Sequence, residues 1–197
     1  MSYKPESIYI AINRFDQANA QDPNKEEYEG IYYPKELLYA KRMTKWLEIL
    51  NPKASDPLKL AVRAQHIRRW EIPREKYPKD RRGYLQWRTA LAKHHAALAE
   101  KILTEVGFDA GFIAEVKSLI KKENLKKNPE TQTLEDAACL VFLENYITDF
   151  STKHDEEKLK RIVVKTWGKM SERGQAEVKK LHLPEDIKML IEKALKS

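Results

Sequence analysis

Apolar side chains recur every three or four residues along most of this chain, and little interrupts them. Ile8, Ile12 and Phe15 lead to Asn19. Tyr39, Ala40, Met43, Trp46, Leu47 and Leu50 share a face, as do Leu60, Ala61, Ala64 and Ile67, and then Ile113, Val116, Leu119 and Ile120. This spacing stacks one apolar stripe on each helix. No convincing strand alternation competes with it. The chain holds 6 glycines in 197 residues, where ordinary usage would give about 14. That shortage argues against all-β folds and glycine-rich nucleotide loops. The sequence predicts an all-α, single-domain bundle of about eight helices.

The punctuation that exists sets the boundaries. Asp22-Pro23-Asn24 ends the first helix, and a polar loop is expected as far as Tyr33. Pro34 suits a first helical turn. Asn51-Pro52 ends the next helix, and Asp56-Pro57 opens another that runs through Ile67. Pro73 and Pro78 make residues 71–82 a loop. A long helix is predicted over 83–106, with Gly107 as its stop. Asp109 caps the following helix. Residues 133–150, with Ala137-Ala138-Cys139-Leu140-Val141-Phe142-Leu143 at their centre, are apolar nearly all round and belong in the core. Residues 155–167 and 184–195 read as amphipathic helices. A core over 1–151 with a helical extension over 152–197 is one division of the chain.

The net charge of +7 is local. Residues 63–93 hold ten Lys and Arg against three acids, so this segment carries the whole excess and the remainder balances. Trp70, Tyr77, Tyr84 and Trp87 lie among these cations. Such a mixture suits an anionic small molecule or nucleic acid. It equally suits a solvated loop that its aromatics pin to the core. Arg69, Arg74, Arg82 and Arg88 are the candidate anion binders, because a guanidinium fork matches phosphate oxygens.

Cys139 is the only cysteine, which excludes an intrachain disulfide and cysteine-based zinc clusters. No apolar run approaches the ~18 residues of a membrane span. The first residues lack the layout of a signal peptide. A soluble, cytoplasmic protein with no membrane partner is expected.

Several polar residues sit on stripes that should face the core. Glu36 shares a face with Tyr39 and Met43, and His95 with Leu91, Ala99 and Ile102. Glu123 ends the Val116–Ile120 stripe. Asp136 begins the stripe of Cys139, Leu140 and Leu143. His66 lies one turn beyond Val62, and Asp16 and Asn19 follow Ile12. Burying a carboxylate costs several kcal/mol unless it is paired or ligates a cation. The placement predicts a shared internal site in which His66, His95, Asp136 and Glu36 bind a divalent metal such as Mn, Fe or Zn. Glu123 and Glu135 are the candidate proton shuttles, with Asp16 and Asn19 as further substrate-binding residues. For each residue the alternative is structural: a hydrogen-bonded core histidine, or a carboxylate serving a helix N-terminus. His154-Asp155 is a literal His-Asp pair, but its sequence context reads as an exposed helix start.

Two resemblances extend this reading. Ala61-Val62-Arg63-Ala64-Gln65-His66-Ile67 and Leu134-Glu135-Asp136-Ala137-Ala138 resemble the helices that carry the His-Asp pair and the last Asp of the HD-domain metal phosphohydrolases, and His95 resembles an extra His of some branches. Ile67 and Glu36 stand where that pattern has Asp and His. Asp16-Gln17-Ala18-Asn19, Glu36-Leu37-Leu38-Tyr39-Ala40, Gln65-His66-Ile67-Arg68-Arg69-Trp70, Tyr84-Leu85-Gln86-Trp87-Arg88 and Leu134-Glu135-Asp136 resemble a family of bacterial, plant and fungal proteins known as a domain of unknown function. Some of its members carry a glutamyl-tRNA synthetase label, and Lys169-Met170-Ser171-Glu172-Arg173 is similar to a synthetase loop. A class I synthetase needs a parallel α/β fold with a His-Ile-Gly-His segment, and this sequence has neither. The resemblances imply a metal-dependent hydrolase of a phosphorylated small molecule or nucleotide. The alternatives are an RNA (tRNA)-binding protein using the same basic loop and a degenerate scaffold.

Overall fold

Ser55 and Asp80 show how short polar residues set the helix starts: Ser55 accepts from the Leu58 N–H, and Asp80 accepts from the Gly83 N–H. The computed structural model describes residues 3–196, and within them helices form nearly all of the regular structure. In chain order they are α1 (Glu6–Ala20), α2 (Lys35–Leu50), α3 (Asp56–Arg63), α4 (Arg81–Val106), α5 (Ala110–Ile120), α6 (Pro129–Asn145), α7 (Ile147–Ser151), α8 (Glu156–Lys169), α9 (Glu172–Val178) and α10 (Glu185–Lys196). Single 3-10 turns at Arg69–Glu71 and Arg74–Lys76 lie within the expected 71–82 loop and just before it. The all-α class stands.

Four local expectations need correction. The loop before α2 is a hairpin, with β1 (Lys25–Tyr28) antiparallel to β2 (Ile31–Pro34) and Tyr28 opposite Ile31. Its two turn residues, Glu29 (φ 52°) and Gly30 (φ 76°), both take positive φ, the geometry that matches strand twist in a tight hairpin. Second, α3 stops at Arg63 instead of continuing through Ile67, so His66 sits on a turn. Third, the apolar helix starts at Pro129, where Asn128 caps it, and ends at Asn145. Tyr146 (φ −123°) breaks it before α7. Fourth, α9 forms where no helix was expected.

α6 lies against α2 and carries buried Leu134, Ala137, Leu140, Val141 and Leu143. α3 packs on α5 and α2, and α4 on α1 and α5. Trp46 Nε1 donates to Glu144 at 2.8 Å and fixes the α2–α6 register. α8 and α10 pack on each other, and their Val163, Ile187, Ile191 and Ala194 join the apolar cluster that begins at Ile8. Through these residues α8 and α10 share the apolar core of the preceding helices. Gly107 (φ 95°) ends α4, as expected. Asp155 caps α8 through the Lys158 N–H, so the His154-Asp155 pair is a helix start. Among the described residues no helix is long and apolar enough to cross a membrane.

Candidate functional site

α2 begins at a buried carboxylate brought from 14 residues upstream. Asp22 Oδ2 accepts the Glu36 N–H at 3.0 Å, while its Oδ1 accepts the backbone and side-chain N–H groups of Asn24. This anchors the first turn of α2 and turns the Glu36 side chain toward the end of α3. There Glu36 Oε2 lies 3.2 Å from His66 Nδ1. The His66 ring stacks on Tyr39, one helical turn along α2, with ring centres 3.9 Å apart and planes 11° from parallel. Its other nitrogen, Nε2, lies 3.3 Å from Arg69 Nη1, and Arg69 Nε lies 3.8 Å from Glu36 Oε1.

Glu36, His66 and Arg69 thus close a triangle. One protonation pattern satisfies all three: an ionised Glu36 accepts from Nδ1–H, and the bare Nε2 accepts from Arg69. Burial raises the Glu36 carboxyl to about 7, with the Arg69 charge opposing. Burial also pushes the His66 imidazole well below its ordinary range, and the Arg69 charge adds to that, so the ring is neutral. The guanidinium is itself fixed, 4.7 Å above the Trp87 ring. Trp87 Nε1 in turn donates to Ile72 O. The aromatics of the basic segment pin the loop, and in doing so they aim one arginine inward.

This triangle forms part of the wall of a 330 Å³ cleft. Lys35, Glu36, Tyr39, His66, Arg69, Arg88, Lys122, Glu135, Cys139 and Lys169 contribute to its lining. Five cations face two carboxylates. Burial would raise the Glu135 carboxyl, but Lys122 at 2.5 Å and Lys169 at 3.5 Å outweigh it and hold the group below its ordinary value. Burial and the Glu135 charge push the Cys139 thiol up to about 12, which makes it inert as a nucleophile. Among the described residues Arg88 forms no ion pair within 4 Å; it lines the cleft, where its charge also helps to hold the Glu135 carboxyl low.

Of the four expected metal ligands, Glu36, His66 and His95 come together; the His66 and His95 ring centres are 5.8 Å apart. Asp136 does not join them. Its oxygens accept from the Ser171 N–H and hydroxyl and from Gln132 Nε2, so it ties α6 to α9. Sequence could not separate the two roles, because Asp136 and Glu135 are neighbours and both are buried. A divalent ion needs donors converging at about 2.0–2.6 Å. Here the Arg69 guanidinium stands beside both Glu36 and His66, where such an ion would sit. Among the described residues no group of three or more His, Cys, Asp and Glu side chains is placed to hold a metal. As arranged, the donors do not fit a resident divalent cation.

The remaining candidates divide. Arg69 and Arg88 line the cleft. Arg74 bonds the carbonyls of Tyr77 and Pro78 and borders a neighbouring groove, and Arg82 lines an outer groove with Arg81, Leu85 and Lys93. Asp16 is held by a two-pronged pair with Arg63, at 2.6 and 2.7 Å, away from the cleft. Asn19 is buried, and its Oδ1 accepts the Arg68 N–H. Arg68 is in the left-handed region (φ 49°), so that contact stabilises the turn leading to Arg69. Glu123 lies beyond the end of α5, exposed and 3.6 Å from Lys121, at the rim of an adjoining cleft. Sequence reasoning missed Lys35 and Lys122, which occur among many surface lysines with nothing in their spacing to set them apart, and it noticed Lys169 only within the synthetase-like segment, not as a cleft residue.

Fold and site together define a helical protein with a cation-rich cleft built around a buried His-carboxylate-arginine triangle. A family model described as Domain of unknown function (DUF4202) matches residues 10–191, and the chain belongs to that family. No curated protein and no solved structure gives a significant match.

Proposed function

We propose that this cleft binds a phosphorylated small molecule or nucleotide and that the protein acts on it as a hydrolase. The observation that carries the reading is the charge arrangement: Arg69, Arg88, Lys122, Lys169 and Lys35 converge on one concave space with only Glu36 and Glu135 to balance them. Such a cleft stabilises an anion, and arginine forks match phosphate oxygens. In hydrolysis, water attacks phosphorus, loses a proton, and the bond to the leaving oxygen breaks. Glu36, with its carboxyl raised to about 7, is tuned to accept that proton near neutral pH. His66 holds Glu36 in place and keeps Arg69 turned toward it. The positively charged groups lower the cost of charge that builds on the phosphoryl oxygens.

Calorimetric titration with inorganic phosphate, pyrophosphate and a nucleotide panel, paired with a phosphate-release assay, tests this. Binding with modest salt dependence, weakened at least about tenfold by Arg69→Gln or Arg88→Gln, is the expected result. Tight tRNA binding that falls with a log-log salt slope of several units, without nucleotide binding, would replace the reading with an RNA binder. Adding Mn or Zn to the assay checks the metal dependence that the HD-domain resemblance implies.

A further inference from the structure

The cations of the cleft fall into two groups, each gathered on one carboxylate. Burial raises the Glu36 carboxyl, and the Arg69 and Lys35 charges oppose it; Arg69 Nε lies 3.8 Å from Oε1. Glu135 is shared between its two oxygens: Lys122 Nζ lies 2.5 Å from Oε2 and Lys169 Nζ 3.5 Å from Oε1. Arg88 belongs to neither pair and acts on both. At Glu135 it joins the two lysines against the raising effect of burial. At His66 it joins Lys122 in deepening the depression that burial and Arg69 begin. The two groups therefore face one common space, and all five cations line it.

That space is larger than one phosphate. Its 330 Å³ is the share of about eleven water molecules at about 30 Å³ each. Inorganic phosphate has five non-hydrogen atoms, and diphosphate has nine. Charge points the same way. With Glu36 and Glu135 ionised, the lining carries an excess of three positive charges. A single phosphate group brings only about −1.5 to −2 near neutral pH. A second phosphate group on the same molecule supplies the rest.

We propose that the cleft takes two phosphate groups joined through one oxygen, the first seated by Arg69 and Lys35 and the second by Lys122 and Lys169, with Arg88 across the bridge. The substrate class is then a phosphoanhydride, not a phosphate monoester. The inference rests on the phosphate reading above and narrows it. It also gives the lysines a part in the reaction. Water attacks the phosphorus nearer Glu36 and passes its proton to that carboxylate. The bond to the bridging oxygen breaks, and its electron pair leaves with the second phosphate, whose new charge Lys122 and Lys169 stabilise.

The test compares three anions by calorimetric titration. They are inorganic phosphate, methylenediphosphonate, in which carbon replaces the bridging oxygen so that nothing is hydrolysed, and butane-1,4-diphosphonate, which holds the same end groups further apart. Methylenediphosphonate is expected to bind at least about thirtyfold tighter than phosphate and about tenfold tighter than the longer diphosphonate. Lys122→Met and Lys169→Met should each weaken methylenediphosphonate at least about fivefold more than they weaken phosphate. If Lys122→Met fails to fold by circular dichroism, Lys169→Met, at a half-exposed side chain, still decides. Equal binding of the two diphosphonates, or a lysine variant that weakens phosphate and methylenediphosphonate alike, overturns the paired seats and spares the phosphate reading. Failure of phosphate and both diphosphonates to bind overturns both. Phosphate release from pyrophosphate or from adenosine 5′-diphosphate, assayed with and without Mn, then tells a free diphosphate from one carried on a nucleoside. Release from neither overturns the cleavage step.

Discussion

Asp136 and Gly174 meet so closely that a Cβ on Gly174 would lie 2.8 Å from the Asp136 carboxyl carbon. The contact explains why α9 needs a glycine in its first turn and why Asp136 is absent from the cleft. Ser171, which caps α9 through the Gly174 N–H, gives its own N–H and hydroxyl to Asp136. The cap, the glycine and the carboxylate form one joint between α6 and α9. Replacing Gly174 by alanine should cost about 1–3 kcal/mol through overpacking. Asp136→Ala, which strips a buried partner from Ser171 and Gln132, should cost about 2–4 kcal/mol. Denaturant melts measure both, and an unchanged midpoint for either would dissolve the joint.

Gly83 poses a similar constraint on the basic segment. A Cβ there would sit 2.2 Å from the Pro78 carbonyl oxygen, which is backbone and cannot swing aside. The same carbonyl accepts from Arg74, and Asp80 caps α4 at the Gly83 N–H. Gly83→Ala should therefore lower stability by at least about 2 kcal/mol, although alanine ordinarily favours a helix. Thermal unfolding reads it; a stabilised variant would contradict the close approach.

How far the site was legible follows from these contacts. Stripe position predicted that Glu36, His66 and His95 would converge, because periodicity reports which face is buried. Periodicity does not report which oxygen finds which donor. Glu135 and Asp136 are both buried on α6, yet one meets Lys122 and the other Ser171, a difference set by how α5 and α9 dock. Arg69 and Arg74 are equally basic in sequence; the 3-10 turns and Trp87 send the first into the cleft and leave the second on carbonyls. The hairpin was missed because its strands bury little, with Ile31 and Tyr32 exposed, so no alternation marks them.

That hairpin offers a stabilising change. Glu29 adopts φ 52° and is not a residue that favours positive φ, whereas asparagine tolerates it and suits the first position of this turn. Glu29→Asn should gain a few tenths to about 1 kcal/mol. Gly30→Ala, at φ 76°, should lose about 1 kcal/mol. The melting temperatures of the two variants should move in opposite directions.

The Glu36 carboxyl predicts a pH signature. In the unfolded chain it ionises near 4.5, and in the fold near 7. Between those values the folded state holds more proton than the unfolded one, so this group's contribution to stability falls as pH rises from about 4.5 to about 7 and stays flat above. The full difference is about 3 kcal/mol. His66 works in the opposite direction: its depressed value makes stability fall as pH drops below about 6.5. Glu36→Gln removes only the first effect. Its stability relative to the unchanged protein should therefore improve steadily from pH 5 to pH 7. A pH-independent difference would mean that Glu36 is ionised in the fold across the whole range.

Glu135 is the one carboxylate in the cleft held by two lysines, and its removal separates binding from chemistry. With its charge gone, Lys122 and Lys169 lose the partner at 2.5 and 3.5 Å and are left to an incoming anion. Glu135→Gln keeps the shape and should tighten phosphate or pyrophosphate binding by about tenfold, since an unpaired cation near a surface contributes on the order of 1 kcal/mol to a neighbouring anion. Stability should drop, because two cations then repel each other without a carboxylate between them. If Glu135 only restrains the lysines, turnover follows the tighter binding through a lower KM. If it moves protons, kcat falls while KM also falls. Weaker phosphate binding in the variant would place the anion away from Lys122 and Lys169 altogether.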